Sequence, residues 1–257
     1  MKITSINKSY GAKHVVDDVS FELPKGKVVS FIGPNGAGKS TVLNIITRLI
    51  SQDSGNVDFQ GIELKKWKSK ELAKKLAILT QQNNINMKLT VRELISFGRF
   101  PHSGNHLNEE DEEKINMAIS YMELEEFTDR FIDELSGGQL QRAYIAMVIA
   151  QDTEFVFLDE PTNNLDIYHS SNMMKTVRKM CEELGKTVIL VLHEINFASC
   201  YSDYIGAFKD GKLYKFGTVD EVMTRETLKD LYRVDFEIQY TNGKPIAIYY
   251  IRRCLKK

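Results

Sequence analysis

No apolar run in this 257-residue chain approaches the roughly 18 residues that a membrane-crossing helix needs, so no transmembrane segment is expected. Neither sign of charge is in excess. The 34 Lys and Arg stand against 35 Asp and Glu, a net charge of −1, which leaves no basic footprint for nucleic acid. Cysteine is scarce. Cys181, Cys200 and Cys254 are odd in number and scattered, which excludes a disulfide framework or a cysteine-built metal site and predicts reduced thiols. There is no internal repeat and no low-complexity tract. The first six residues alternate as a strand does and lack the apolar core of a secretory signal. What remains is 42% hydrophobic, enough for a sizeable core, and reads as a soluble cytosolic enzyme.

The plainest positive signal is Gly33-Pro34-Asn35-Gly36-Ala37-Gly38-Lys39-Ser40, which fits G-x-x-x-x-G-K-[ST]. The apolar, β-branched run at 28–32 before it predicts a buried strand, and residues 41–50 after it predict a helix. Strand, glycine loop and helix is the context this motif requires. Its glycines let backbone N–H groups turn inward around phosphates, and the helix N-terminus adds partial positive charge. The nucleotide-binding candidates are therefore Gly33, Asn35, Gly36, Gly38, Lys39, Ser40 and Thr41. Lys39 is placed to reach the β- and γ-phosphates, and the Ser40 hydroxyl to hold Mg²⁺.

A second strand is predicted at 155–158, apolar throughout, with Asp159 and Glu160 at its C-terminal end. That end is where ligands bind in open α/β sheets. Successive strand residues point to opposite sides, so the two acids can divide the work. Asp159 suits Mg²⁺, and Glu160 suits the polarisation of an attacking water. Upstream, Ser136 and Gln139 form an S-x-x-Q capping box before a helical run at 140–150, and Gly137 and Gly138 leave that helix start bare of side chains. Such an end is a ready anion site. A chain with one phosphate loop already has little use for a second, unless two chains lie head to tail and each closes the other's site.

In this order the motifs resemble those of the nucleotide-binding subunits of ATP-binding cassette (ABC) transporters, over nearly the whole chain. The resemblance implies an α/β fold: a RecA-like P-loop NTPase core with an antiparallel β-subdomain and a helical signature subdomain. It implies one domain over 1–257, the helical part inserted at about 86–150 and a C-terminal extension at about 218–257. It implies an ATPase using ATP and Mg²⁺. Tyr10 falls where the family stacks an aromatic on adenine. Gln81, followed directly by Gln82, falls at the Q-loop, which senses the γ-phosphate and the permease and is counted here among the Mg²⁺ ligands. His193, after the apolar run 187–192, falls at the switch histidine and joins Glu160 and Gln81 as the catalytic set. Asn164-Leu165-Asp166 resembles the D-loop, although the family more often has Ser-Ala where this chain has Asn163-Asn164. In the implied head-to-tail dimer, Ser136, Gly137, Gly138, Gln139 and Asp166 serve the other copy's nucleotide. The implied partners are a second nucleotide-binding subunit, a polytopic membrane permease and, indirectly, an extracytoplasmic solute-binding protein, with the chain peripheral on the cytoplasmic face of the membrane. ABC ATPases that act on DNA or ribosomes carry a coiled-coil insertion or tandem cassettes, and this sequence has neither. An exporter subunit is the other alternative.

Three stretches resemble the importers of iron–siderophore, haem and cobalamin: Gly98-Arg99-Phe100-Pro101-His102, His193-Glu194-Ile195-Asn196, and Asn242-Gly243-Lys244-Pro245 with the strand after it. Within that branch a ferric siderophore is the expected cargo, with haem and cobalamin open. Local signals fill in the rest. Thr90 and Glu93 form a capping box, and Asn108 precedes an acid-rich first helical turn at 109–113, read as solvated. Asp166 caps a helix running to Leu184, and Asp210-Gly211 marks a hairpin. His14, His102, His106 and His169 show no ligand spacing and read as surface or loop residues. The aromatic, then basic, tail at 249–257 reads as solvated.

Overall fold

A computed structural model describes residues 1–81, 87–104, 106–163 and 165–249. Gln82, the expected start of the helical insertion at Asn86, Asn164, and the tail at 250–257 with Cys254 lie outside the described residues. In chain order the elements are β1 (Lys2–Tyr10), β2 (Lys13–Glu22), β3 (Val28–Ile32), α1 (Lys39–Ile46), β4 (Ser54–Phe59), β5 (Ile62–Glu63), α2 (Ser69–Ala73), β6 (Leu76–Leu79), α3 (Val91–Ser96), α4 (Phe100–Ser103), α5 (Glu109–Tyr121), α6 (Gly137–Ala150), β7 (Phe155–Asp159), α7 (Ile167–Glu182), β8 (Thr187–Val191), α8 (Ile195–Tyr201), β9 (Tyr204–Lys209), β10 (Lys212–Thr218), α9 (Val219–Val222), α10 (Arg225–Tyr232), β11 (Glu237–Thr241) and β12 (Lys244–Ile248).

The apolar runs of the sequence become the centre of a six-stranded sheet in the order β10-β9-β3-β8-β7-β6. Pairing is parallel from β9 through β6, and only the edge hairpin β9–β10 is antiparallel. Every residue of β3, β7 and β8 is buried, as expected of strands covered on both faces. The two-residue period sorts their side chains into two cores. Val28, Ile32, Val156, Leu158, Val188 and Leu190 face a core shared with α3, α5, α6 and α7. Val29, Phe31, Phe155, Phe157, Ile189 and Val191 face α1 and the separate antiparallel sheet β2-β1-β4-β5. The fold is thus a parallel-sheet α/β core flanked by an antiparallel β layer on one face and helices on the other. It is the RecA-like arrangement expected from the sequence.

Some local expectations are corrected. Helix α1 ends at Ile46 and not at residue 50. The Thr47 hydroxyl donates to the carbonyls of Leu43 and Asn44, and Arg48 adopts a left-handed φ of 63°, so the last turn is closed early. The acidic turn of α5 is not wholly solvated, because Asp111 is 1% exposed. Of the histidines expected on surface or loop, His102 sits half-buried on α4 and donates to the Gln151 carbonyl at 2.9 Å, whereas His169, on α7 and bonded to Asp166, is exposed as expected.

Candidate functional site

The loop between β3 and α1 is shaped by glycine. Gly38 caps α1 in the left-handed region (φ 96°), and a Cβ there would stand 2.5 Å from the Val15 carbonyl oxygen. Lys39, at the first turn of α1, is 5% exposed. Its ammonium donates to the carbonyls of Gly33 and Pro34 at 2.8 and 3.0 Å, which uses two of its three N–H groups. Burial lowers the Lys39 pKa, against the raising influence of Glu160 and Asp159. Ser40 donates its hydroxyl to Asp159 Oδ1 at 2.9 Å. Burial raises the Asp159 carboxyl; the Ser40 bond opposes this and the Glu160 charge adds to it. Charges held in so poorly solvated a place act strongly on whatever charged group enters.

Glu160 follows the last residue of β7 with a left-handed φ of 52°, a costly conformation for a residue other than glycine. Its N–H donates to the Val191 carbonyl, which ties the bend to β8. The bend presents the carboxylate to three side chains. Oε1 lies 2.6 Å from His193 Nε2, and Oε2 accepts from Gln81 Nε2 at 2.6 Å and from Asn163 Nδ2 at 3.3 Å. A carboxylate only accepts, so the His193 proton sits on Nε2. Asn35, Gly36, Gly38, Lys39, Ser40, Thr41, Gln81, Glu160, Asn163 and His193 line one open cavity of about 530 Å³ with Lys13 and Val15.

Other candidates stand apart from that cavity. Tyr10, at the end of β1, is 54% exposed and carries the Lys8 ammonium 5.6 Å from its ring centroid. Ser136 caps α6, accepting from the Gln139 N–H at 3.3 Å and donating its own N–H to Gln139 Oε1 at 2.9 Å. Gly137 opens α6, and Asp166 caps α7. Gly138 lines a different cavity, of about 760 Å³, between α5, α6 and α7. In one chain, therefore, the signature residues do not close the phosphate loop.

Two further residues bear on the site: Asn163, expected from sequence only beside the D-loop, and Tyr232, which no sequence signal singled out. Asn163 reaches Glu160, as noted. Tyr232, at the end of α10, accepts the Gly33 N–H on its hydroxyl at 3.0 Å; burial pushes its pKa up to about 12. The element Gly98 to His102 proves to be a brace for α6. A Cβ on Gly98 would stand 2.2 Å from the Met147 carbonyl oxygen. Arg99 bonds Asp111 at 2.8 Å and the Ala150 carbonyl at 2.9 Å, and His102 bonds Gln151.

A glycine turn from a buried parallel strand into a helix, facing an acidic strand end, marks the P-loop nucleotide-binding proteins, and fold and site place the chain in that class. Known proteins narrow it. Residues 16–163 match the family described as ABC transporter. The chain is 51% identical to the petrobactin import ATP-binding protein YclP of Bacillus subtilis (strain 168), across 97% of this chain and 99% of that protein. It is 40% identical to the iron(3+)-hydroxamate import ATP-binding protein FhuC of the same organism, across 94% and 91%. A dimeric bacterial ABC transporter cassette superposes with a TM-score of 0.76 at 32% identity, covering 85% of this chain and 98% of that one. The chain belongs to the ABC transporter family, as one of its ATP-binding subunits. It is an ATPase of that type, and ATP is its nucleotide.

Proposed function

We propose that the chain powers import of a ferric siderophore, as a head-to-tail pair bound to the cytoplasmic face of a membrane permease fed by an extracytoplasmic solute-binding protein. The observation that carries the chemistry is the Glu160 carboxylate, held by Gln81, His193 and Asn163 beside Lys39, Ser40 and Asp159. Support for the cargo comes from relatives named for petrobactin and iron(3+)-hydroxamate import.

In this reading each nucleotide lies between two copies. The phosphate loop of one copy holds the phosphates through backbone N–H groups, with the remaining Lys39 N–H on the β- and γ-oxygens. Ser136, Gly138 and Gln139 of the other copy close over the γ-phosphate from the N-terminus of α6, with Asp166 beside them. Tyr10 stacks on adenine. Glu160 takes a proton from the attacking water, and His193 keeps that carboxylate aligned and bonds the departing phosphate. Most of the rate comes from positioning and electrostatics.

Mg²⁺ suits the donor set: Ser40 Oγ and Asp159 Oδ1 are hard oxygens 2.9 Å apart. Ser40, Asp159 and Gln81 would hold it, and once bound it offsets phosphate charge. No helix among the described residues is long and apolar enough to cross a membrane. The test is affinity capture of the tagged chain from native membranes in mild detergent. Co-recovery of a many-helix permease and a binding protein that takes ferric siderophore supports the proposal; recovery of ribosomal or DNA-repair proteins without a polytopic partner overturns it.

A further inference from the structure

The signature turn and the start of α7 meet at a single side chain. A methyl group added at Gly138 would stand 2.5 Å from Cδ2 and 2.8 Å from Nε2 of His169, whereas one added at Gly137 meets nothing within 4 Å. Of the two adjacent glycines, only the second has the space of its missing Cβ taken up within the chain, by the edge of the His169 ring. The imidazole is fixed from its other side. Asp166 Oδ1 accepts the His169 backbone N–H at 2.8 Å and lies 2.8 Å from the ring Nδ1. The carboxylate can only accept, so Nδ1 carries the proton. These two bonds hold the Asp166 carboxyl below the usual carboxylate range. One carboxylate thus caps α7 and orients the ring whose opposite edge lies against the signature helix.

We propose that His169 is a positioning residue that locks the turn at Leu165 and Asp166 to the N-terminus of α6. The two segments offered to the second copy are then presented as one unit. The consequence for dimerisation rests on the head-to-tail reading above; the lock itself belongs to a single chain. Its value is in order. Two segments that move independently must each be fixed when the copies meet, and a lock formed on folding removes part of that cost from association.

The test compares His169→Ala and His169→Asn in the Glu160→Gln background. Asn keeps an amide donor in the place of Nδ1–H but has no ring edge over Gly138. Hydrogen exchange on the monomer reads the lock directly. His169→Ala is expected to speed exchange of the Gln139 and Leu140 amides about tenfold, with His169→Asn in between. ATP affinity of the monomer stays within twofold, while ATP-driven dimerisation weakens about tenfold. A simple structural defect would lower both together. Gly138→Ala adds a third arm: its methyl collides with the ring, so combining it with His169→Ala gives an effect on exchange smaller than the sum of the two singles. Unchanged exchange in His169→Ala, or additive effects in the pair, overturns the lock whatever the dimer does. If the Glu160→Gln parent forms no ATP-dependent dimer, the head-to-tail reading fails and the exchange data alone decide the lock.

Discussion

Arg99→Met should be among the most damaging single substitutions outside the nucleotide site. The Arg99 and Asp111 side chains are 3% and 1% exposed and meet at 2.8 Å. Removing the guanidinium leaves a carboxylate buried without its counter-charge and takes a donor from the Ala150 carbonyl at the end of α6. Breaking a buried pair in this way costs about 3–5 kcal/mol. In a domain of this size each kcal/mol moves Tm by about 2–4 °C, so a fall of about 10 °C is expected. Arg99→Met with Asp111→Leu removes both charges, and an apolar replacement of a buried pair is often neutral. A residual deficit of about 1 kcal/mol should persist, because Asp111 also accepts the Asn108 N–H in the capping box of α5. The pair also predicts a pH dependence. Burial alone would raise the Asp111 carboxyl, but bonds from Ser103, Asn108 and Arg99 win and hold it below the usual range. Its contribution is therefore present above that range and is lost as pH falls through the depressed pKa. Thermal and urea unfolding of wild type, both singles and the double give the answer. A single variant within 1 kcal/mol of wild type, or a double as poor as the sum of its parts, would refute the reasoning.

Further outcomes follow from the same geometry. Tyr232→Phe leaves the Gly33 N–H without its acceptor, and should cost about 1–3 kcal/mol and weaken nucleotide binding; unchanged melting and unchanged titration with a fluorescent ATP analogue would remove Tyr232 from any role at the loop. Lys39→Ala should abolish measurable ATP binding in the same titration, and retained affinity would contradict the loop assignment. For Asp152, burial raises the carboxyl, but bonds from Lys114 and Lys186 outweigh it and hold the pKa at about 2. That contribution, about 1 kcal/mol after allowing for its partial exposure, is complete above the ordinary carboxylate pKa and fades as pH falls toward 2. Lys114→Ala should therefore destabilise at pH 6 and much less at pH 2.5, as read by urea unfolding; an equal gap at both pH values would exclude the ion pair as its cause.

The parts of the fold that could be read from sequence are those written in local chemistry. The short apolar runs at 28–32 and 155–158 read as strands buried on both faces, and they became β3 and β7. The caps at Thr90, Asn108, Ser136 and Asp166 lie within three residues of the amides they serve, so a short window contains them. Non-local contacts left no such trace. Gly33 and Tyr232 are 199 residues apart, and no periodicity connects them. Asp111 is one acid among five, and nothing nearby distinguishes it from Glu110 or Glu112; its partner arrives from a different element. The bareness of Gly137 and Gly138 read as an anion site, but that the His169 ring, 31 positions further on, lies beside Gly138 is visible only once α6 and α7 are packed. The left-handed Glu160 is likewise a product of the sheet, since the bend is held by β8.

The central claim is that Glu160 activates water at a nucleotide shared by two copies, and steady-state ATP hydrolysis by the permease-bound subunit tests it most directly. Glu160→Gln keeps the size of the side chain and removes the base, whose share is about 10²–10⁴ in rate. The account predicts a loss of turnover of at least a hundredfold, with ATP retained in a dimer on a sizing column. Turnover equal to wild type would contradict it.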